Sequence, residues 1–147
     1  ASYRALRGKI SLVFDKNVLC EDENLLIKAF ADIRSAGLKI AIKGFGDKYM
    51  PLSLLGVVTP DYLFLSGKET AKAEDKKLFA PVGALIKYAS NLGIKTIAEN
   101  ARTDKGIREL SLVECFGATV CDCYKGLRSA VGEKTLECIA NEKEDSE

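Results

Sequence analysis

Acidic, basic and hydroxyl side chains stand at the ends of several short apolar segments of this sequence, and they are the first candidates for chemistry. Asp15, Lys43, Ser66 and Glu99 each end or directly follow such a segment, and Cys121 ends a further one. Carboxylates of this kind can bind hard divalent cations or transfer protons. The chain contains no histidine, which excludes Ser-His-Asp catalysis, Cys-His catalysis and every His-ligated metal site.

Two further groups of residues could bind an anion. Residues 43–48 form a turn rich in glycine and lysine, whose backbone N–H groups could cradle a phosphate. This turn has neither the P-loop spacing nor the dinucleotide fingerprint, so a plain strand-to-helix turn is the favoured interpretation. Arg102, Arg108 and Arg128 could bind an anionic ligand, although solvated charges on helix surfaces are the commoner explanation.

The cysteines indicate reduced thiols rather than a disulfide framework. There are five, an odd number without a CxxC pair: Cys20, Cys115, Cys121, Cys123 and Cys138. The CxC pair could hold a soft metal, but the sequence has no histidine and no second pair to complete a tetrahedral site. Small buried side chains are therefore the favoured interpretation of these cysteines.

Composition and charge are typical of one globular, cytoplasmic domain. The 147 residues are 47% hydrophobic and 29% charged, with a net charge of +1 and no long run of Lys or Arg, which favours neither nucleic acid nor a membrane surface as partner. No stretch approaches the roughly 20 apolar residues of a membrane helix, and the N-terminal residues do not resemble a secretory signal. We predict one domain over residues 1–140 and a flexible acidic tail over residues 141–147.

Short apolar segments alternate with stretches of helical periodicity, which predicts an α/β fold of repeated strand-helix units around a parallel sheet. The predicted strands cover residues 9–14, 38–42, 62–65, 94–98 and 118–121. The predicted helices cover residues 22–36, 52–56, 74–92, 103–115 and 133–140, with Pro81 expected to kink the third helix or to mark its true start. In a parallel sheet the carboxyl ends of the strands meet at one edge, so we expect the functional site there.

Four segments at these strand ends resemble the EAL family, the (β/α)₈-barrel domains that hydrolyse the bacterial second messenger cyclic di-GMP with metal assistance. Residues 40–46 resemble the family's strand that ends in Asp-Asp-Phe-Gly, and residues 61–66 stand where the family has Lys-Ile-Asp. Residues 92–103 are similar to the segment with Ala-Glu-Gly-Val-Glu-Thr, and residues 12–17 to Leu-Glu-Ile-Thr-Glu-Ser. The resemblance implies an incomplete TIM-type barrel of about five strands.

The resemblance also implies which catalytic positions have changed. Active members use carboxylates and an amide to hold two divalent cations, which generate the attacking hydroxide. Glu99 matches one of those carboxylates, and Asp122 aligns loosely with a glutamine. The other matched positions carry replacements: Val13, Lys43, Gly44, Phe64, Ser66 and Arg102.

These replacements predict a domain without a metal, a cofactor or catalytic activity. One carboxylate cannot bind two cations, and Lys43 adds a positive charge where a cation would lie. We expect an ion pair between Lys43 and Glu99 in place of the lost metal. The remaining candidates for ligand binding are Lys43, Glu99, Arg102 and Asp122.

The resemblance does not extend to the family's N-terminal segment, which carries Glu-Ala-Leu and a substrate-binding arginine. Five strand-helix units do not close a barrel, so we expect a protein partner, another domain of the same chain or an oligomer to cover the incomplete sheet. The favoured function is an inactive interaction or regulatory module in cyclic di-GMP signalling. The alternatives are a non-hydrolysing sensor of cyclic di-GMP or another nucleotide, and an unrelated flavodoxin-like enzyme.

Overall fold

A computed structural model describes residues 5–47 and 50–120 of the chain. It contains a five-stranded parallel sheet in the order β1-β2-β3-β4-β5, which confirms the predicted α/β class. The strands are β1 (Ser11–Asp15), β2 (Lys39–Phe45), β3 (Tyr62–Leu65), β4 (Lys95–Ala101) and β5 (Gly117–Val120). Every strand pairs with its successor along the chain, as expected for consecutive strand-helix units.

Helices connect successive strands. They are α1 (Glu23–Ser35), α2 (Leu52–Val58), α3 (Gly67–Thr70), α4 (Lys76–Asn91) and α5 (Asp104–Leu112), with 3₁₀ turns at Lys16–Cys20 and Ala71–Glu74. The predicted strand over residues 118–121 is confirmed as far as Val120. The helix predicted over residues 133–140 and the predicted acidic tail lie outside the described residues.

Local sequence signals determine where helix α1 begins and ends. The Asp22 carboxylate accepts a hydrogen bond from the backbone N–H of Leu25 at 2.9 Å and so caps the first turn. Leu26 and Phe30 are buried on one face of the helix. The helix stops before Gly37, which has a φ of 79° and can adopt this left-handed conformation without a Cβ clash.

Pro81 lies inside helix α4 and does not mark its start, contrary to one of the two expectations for this residue. The helix begins more than one turn earlier, because the Asp75 carboxylate caps it by accepting hydrogen bonds from the N–H groups of Lys77 and Leu78. The buried stripe then continues past the proline through Val82 and Ile86, so packing holds the helix together across Pro81.

The two faces of the sheet have different surroundings. One face, the helix-covered face, carries strand residues that pack against the helices in a single core. These fully buried strand residues are Ile40, Ile42, Phe45, Leu63, Leu65 and Ala98. On the edge strand β1, the Phe14 ring lies 5.5 Å from the Phe30 ring of α1, which places Phe14 on the same face.

The opposite face, here called the open face, carries the alternate residues of each strand. Val13, Lys43 and Lys95 are exposed on it, and Tyr62, Phe64 and Ile97 are partly buried. The five strands do not close on themselves, so the incomplete-barrel prediction is confirmed. Within residues 5–47 and 50–120, no helix combines the length and apolar character needed to cross a membrane.

Candidate functional site

The carboxyl ends of the strands bring several of the sequence-predicted residues to one rim of the sheet. In the β1–β2 register Asp15 is the partner of Lys43, and in the β2–β3 register Lys43 is the partner of Phe64. Phe64 pairs in turn with Ile97, and Glu99 follows two residues later on the same strand and face. Asp15, Lys43 and Phe64 are thus level with Ile97, and Glu99 lies two residues beyond Ile97. Asp15, Lys43, Phe64 and Glu99, here called the row, line the rim of the open face.

The ion pair predicted between Lys43 and Glu99 is wrong. Strand β3 lies between their two strands, and Phe64 separates Lys43 from β4 along the rim. Neighbouring strands are about 4.8 Å apart, and Lys43 on β2 is separated from Glu99 on β4 by two such spacings. Among the described residues Lys43 forms no ion pair within 4 Å.

A different lysine, which the sequence analysis missed, crosses the end of β2. Lys16 donates a hydrogen bond from Nζ to the backbone oxygen of Asp47 at 3.1 Å, and its Nζ lies 3.6 Å from the carboxylate of the same residue. Its aliphatic stem packs on Gly44, where a Cβ would lie 3.3 Å from Lys16 Cδ. Gly44 has a φ of 84°, so both its backbone conformation and its close contact favour glycine.

A second ion pair lies beside the end of β3. Lys72 Nζ donates to both carboxylate oxygens of Glu69, at 2.7 and 2.6 Å, and Glu69 is only 4% exposed. The Glu69 side chain packs against Gly46, where a Cβ would lie 3.2 Å from Glu69 Cγ. Two carboxylates near the rim, Asp47 and Glu69, thus already have ammonium partners from the chain itself.

Ser66 has a structural role at the position where the resemblance implies an acid. It is the N-cap of α3: its hydroxyl accepts a hydrogen bond from the backbone N–H of Glu69 at 3.4 Å. Ser66 followed by Glu69 is the spacing of a capping box, and this signal could have placed Glu69 next to the rim from the sequence.

Near the end of β4, one residue has a left-handed backbone conformation. Asn100 has a φ of 56°, and its backbone N–H donates to the Thr119 hydroxyl of β5 at 3.1 Å. The register between β4 and β5 shifts between Ala98 and Ala101, so Asn100 lies in an irregularity that separates Glu99 from Arg102. Glu99 is partly buried, whereas Arg102 is exposed just beyond the strand.

The remaining candidates are spread over the molecule. Arg108 is exposed on α5, as expected for a solvated helix charge. In the turn that begins at Lys43, the N–H of Asp47 donates to the carbonyl of Gly44. Cys115 is partly buried next to β5, and this burial raises the pKa of its thiol. The other predicted residues, Cys121, Asp122, Cys123, Arg128 and Cys138, lie outside the described residues.

Among the described residues, the donor set at the rim does not fit two divalent cations. Such ions require several oxygen ligands each, from carboxylates, carbonyls or water. In the part of the chain that the structure describes, no group of three or more His, Cys, Asp and Glu side chains comes together. Glu99 is the one matched carboxylate on the row, and the neighbouring positions offer an ammonium, a phenyl ring and a capping hydroxyl.

Solved structures with the same fold come from several bacteria. The EAL domain of Mycobacterium smegmatis DcpA aligns with a TM-score of 0.71 and 25% identity, covering 81% of this chain and 54% of that chain. Klebsiella pneumoniae BlrP1, in a complex with manganese and cyclic di-GMP, aligns with a TM-score of 0.66 and 24% identity over 74% of this chain and 28% of its own. Bacillus subtilis YkuI, a protein with an EAL domain in complex with cyclic di-GMP and calcium, has a TM-score of 0.61 and 16% identity over 80% and 29%.

The chain spans about half the length of the M. smegmatis domain and a smaller share of the other two proteins. A comparison with curated proteins finds no match. The model of the EAL domain family matches residues 2–119, which is most of the chain and includes strands β1 to β4 and all but the last residue of β5. This chain therefore belongs to the EAL domain family.

Proposed function

We propose that this chain is an EAL domain that does not hydrolyse cyclic di-GMP and that serves as a cytoplasmic protein-interaction or regulatory module in cyclic di-GMP signalling. The observation that carries the proposal is the rim of the open face, where Lys43 stands in register between Asp15 and Phe64. In the resembling family these strand ends supply the ligands of two cations. Here the row offers Glu99 as its single matched carboxylate.

Charge supports the same conclusion. A cation placed near Lys43 would be repelled by its ammonium in a region partly shielded from water. Two acids that could compensate, Asp47 and Glu69, already have Lys16 and Lys72 as partners. A third, Asp15, accepts a hydrogen bond from the backbone N–H of Asn17. If Asp47 or Glu69 were to bind a divalent ion instead, its ion pair would have to break, which costs free energy.

The direct test is a phosphodiesterase assay with cyclic di-GMP in the presence of magnesium or manganese, with an active EAL phosphodiesterase as positive control. We expect no turnover above the rate without protein. Metal-dependent turnover that disappears in Glu99→Gln would refute the proposal, because it would show that Glu99 works in a functional metal site.

A calorimetric titration with cyclic di-GMP separates an interaction module from a non-hydrolysing sensor. The row of Asp15, Lys43, Phe64 and Glu99 carries both signs of charge and no cluster of cations for two phosphates, so we expect no micromolar binding. Micromolar binding that weakens in Lys43→Met would favour the sensor instead.

A further inference from the structure

A small polar cavity lies at the amino-terminal ends of three neighbouring strands. Lys39 begins β2, Tyr62 begins β3 and Lys95 begins β4, and these residues line a cavity of about 180 Å³. The loops that precede β3 and β4 complete the lining with residues 59–61 and 92–93. None of the four residues of the row contributes to this lining. The cavity is therefore separate from the rim, which lies at the carboxyl ends of the same strands.

Three of the lining side chains are hydrogen-bond donors. Lys39 Nζ donates to the Tyr62 hydroxyl oxygen at 3.3 Å, which leaves the Tyr62 proton for another acceptor. Lys95 Nζ lies 4.5 Å from the centre of the Phe116 ring, and an ammonium in such a contact keeps N–H groups for further hydrogen bonds. Neither lysine has a carboxylate within 4 Å among the described residues. The cavity therefore offers two ammonium groups and a phenol hydroxyl to an anion.

The lining also includes one carboxylate, that of Asp61. Asp61 Oδ2 accepts a hydrogen bond from the backbone N–H of Ile40 at 2.8 Å, and the Asp61 N–H donates to the Ile40 carbonyl, also at 2.8 Å. These two bonds hold the carboxylate at the start of β3, and its second oxygen has no hydrogen-bond partner among the described residues. Two ammonium groups and one carboxylate leave one net positive charge, so the site favours an anion that also donates a hydrogen bond.

Hydrogen bonds within the chain hold the wall of the cavity in place. The Arg34 guanidinium of α1 donates to the carbonyl oxygens of Val58 and Thr59, at the junction between α2 and the loop before β3. The backbone N–H of Lys95 donates to the Asp61 carbonyl at 3.1 Å, which ties the start of β4 to the same loop. Because the chain itself supplies these contacts, binding requires little further ordering of the loop.

Inorganic phosphate matches the size and the donor set of this cavity. A volume of about 180 Å³ equals roughly six water molecules at about 30 Å³ each, so it accommodates one tetrahedral oxyanion but is smaller than the roughly 300–1,000 Å³ pockets of drug-sized ligands. Near neutral pH the ion HPO₄²⁻ has unprotonated oxygens that accept hydrogen bonds and one P–O–H group that donates. Sulfate has the same shape but no proton, so it would place an oxygen lone pair against Asp61.

We propose that the amino-terminal ends of β2, β3 and β4 form a binding site for inorganic phosphate in its proton-bearing form. Lys39, Lys95 and the Tyr62 hydroxyl donate to the phosphate oxygens. Asp61 accepts a hydrogen bond from the P–O–H group. The site goes beyond the proposed function, because it lies at the opposite ends of the strands from the row. Phosphate binding here neither requires nor excludes an interaction with cyclic di-GMP.

A nuclear magnetic resonance titration of the 147-residue chain tests the site, with ¹H–¹⁵N spectra recorded at about pH 8 and constant ionic strength. Sodium phosphate should shift the amide signals of residues 61–62 and 93–95 with a dissociation constant of about 1 mM or lower. Sulfate and methyl phosphate carry no proton at this pH, since a phosphate monoester loses its last proton at about pH 6. Both should bind at least about tenfold more weakly than phosphate, because neither donates to Asp61.

Single substitutions identify the groups that bind. Lys95→Met should weaken phosphate binding by about tenfold or more, and Tyr62→Phe by about threefold or more, because each removes one donor. Lys28→Met is the matched control: Lys28 is an exposed lysine on α1, outside the cavity lining, and this variant should bind phosphate normally. All three variants should keep the circular dichroism spectrum of the natural chain.

Asp61→Asn tests the role of the carboxylate separately. The new amide oxygen can still accept from the Ile40 N–H while the amide N–H groups donate to the oxyanion, so this variant should bind sulfate as tightly as phosphate. Three results would overturn the inference: no saturable shifts with phosphate, equal binding of sulfate and phosphate by the natural chain, or an Asp61→Asn variant that still prefers phosphate.

Discussion

Replacing Lys72 with methionine should reveal how much the Glu69–Lys72 ion pair stabilises the rim. The Glu69 side chain is 6% exposed, and Lys72 contributes hydrogen bonds to both of its oxygens. Removing one partner of a buried pair costs about 3–5 kcal/mol, because the remaining charge stays buried. Lys72 is itself 35% exposed, so water can partly replace its ammonium. We therefore expect Lys72→Met to lower the free energy of unfolding by about 2 kcal/mol.

Urea denaturation followed by circular dichroism measures this loss, and a double-mutant cycle isolates the pair. Glu69→Leu combined with Lys72→Met removes both charges and should cost less than Lys72→Met alone, because no unpaired carboxylate remains. Lys68→Met is the matched control, since Lys68 is an exposed lysine on α3, next to Glu69 in the sequence, and its effect should stay within about 0.5 kcal/mol. If Lys72→Met costs no more than Lys68→Met, the ion pair does not stabilise the fold and the reasoning is refuted.

Further substitutions test the backbone, the core and the partly buried thiol of Cys115. Asn100→Val should destabilise the chain by about 1–2 kcal/mol in urea denaturation, because a β-branched residue fits poorly at a φ of 56°. Asn100→Gly should be close to neutral, and equal effects of the two substitutions would contradict this prediction. Phe30→Ala should cost about 3–5 kcal/mol, since Phe30 is fully buried against Phe14; a loss below about 1 kcal/mol would show that the ring is not in the core. Burial raises the pKa of Cys115, so its thiol should favour the folded state below about pH 8.5 and lose this contribution as the pH rises further. Cys115→Ala should accordingly flatten the fall in stability at alkaline pH, and site-resolved labelling should modify exposed Cys20 long before Cys115.

The fold follows from the sequence because apolar periodicity and caps agree with each other. Asp22 and Gly37 mark the ends of α1 in the sequence and in the structure. The buried strands β2 and β3 were predictable from their apolar residues, although β2 extends to Phe45. The end of β2 was less predictable, because Lys43 and Gly44 do not have the strand propensity of the residues before them.

The details of the site were only partly predictable, because they depend on distances across the sheet. The strand ends meet at one rim as expected, yet the pairing of Lys43 with Glu99 failed because strand order places Phe64 between them. The Lys16 contact with Asp47 joins residues that are 31 positions apart and depends on a close approach to Gly44. Periodicity predicts faces and ends of elements, but it carries no signal for such long side-chain contacts.

The central claim is that the rim of this EAL domain does not bind the two cations of the resembling family. A calorimetric titration of the 147-residue chain with manganese tests it most directly, with a variant that carries Asp at Lys43 and Ser66 as the comparison. We predict no saturable binding to the natural chain and measurable binding to the variant, because added carboxylates supply the missing oxygen ligands. Two manganese ions bound to the natural chain, with affinity lost in Glu99→Gln, would contradict the account.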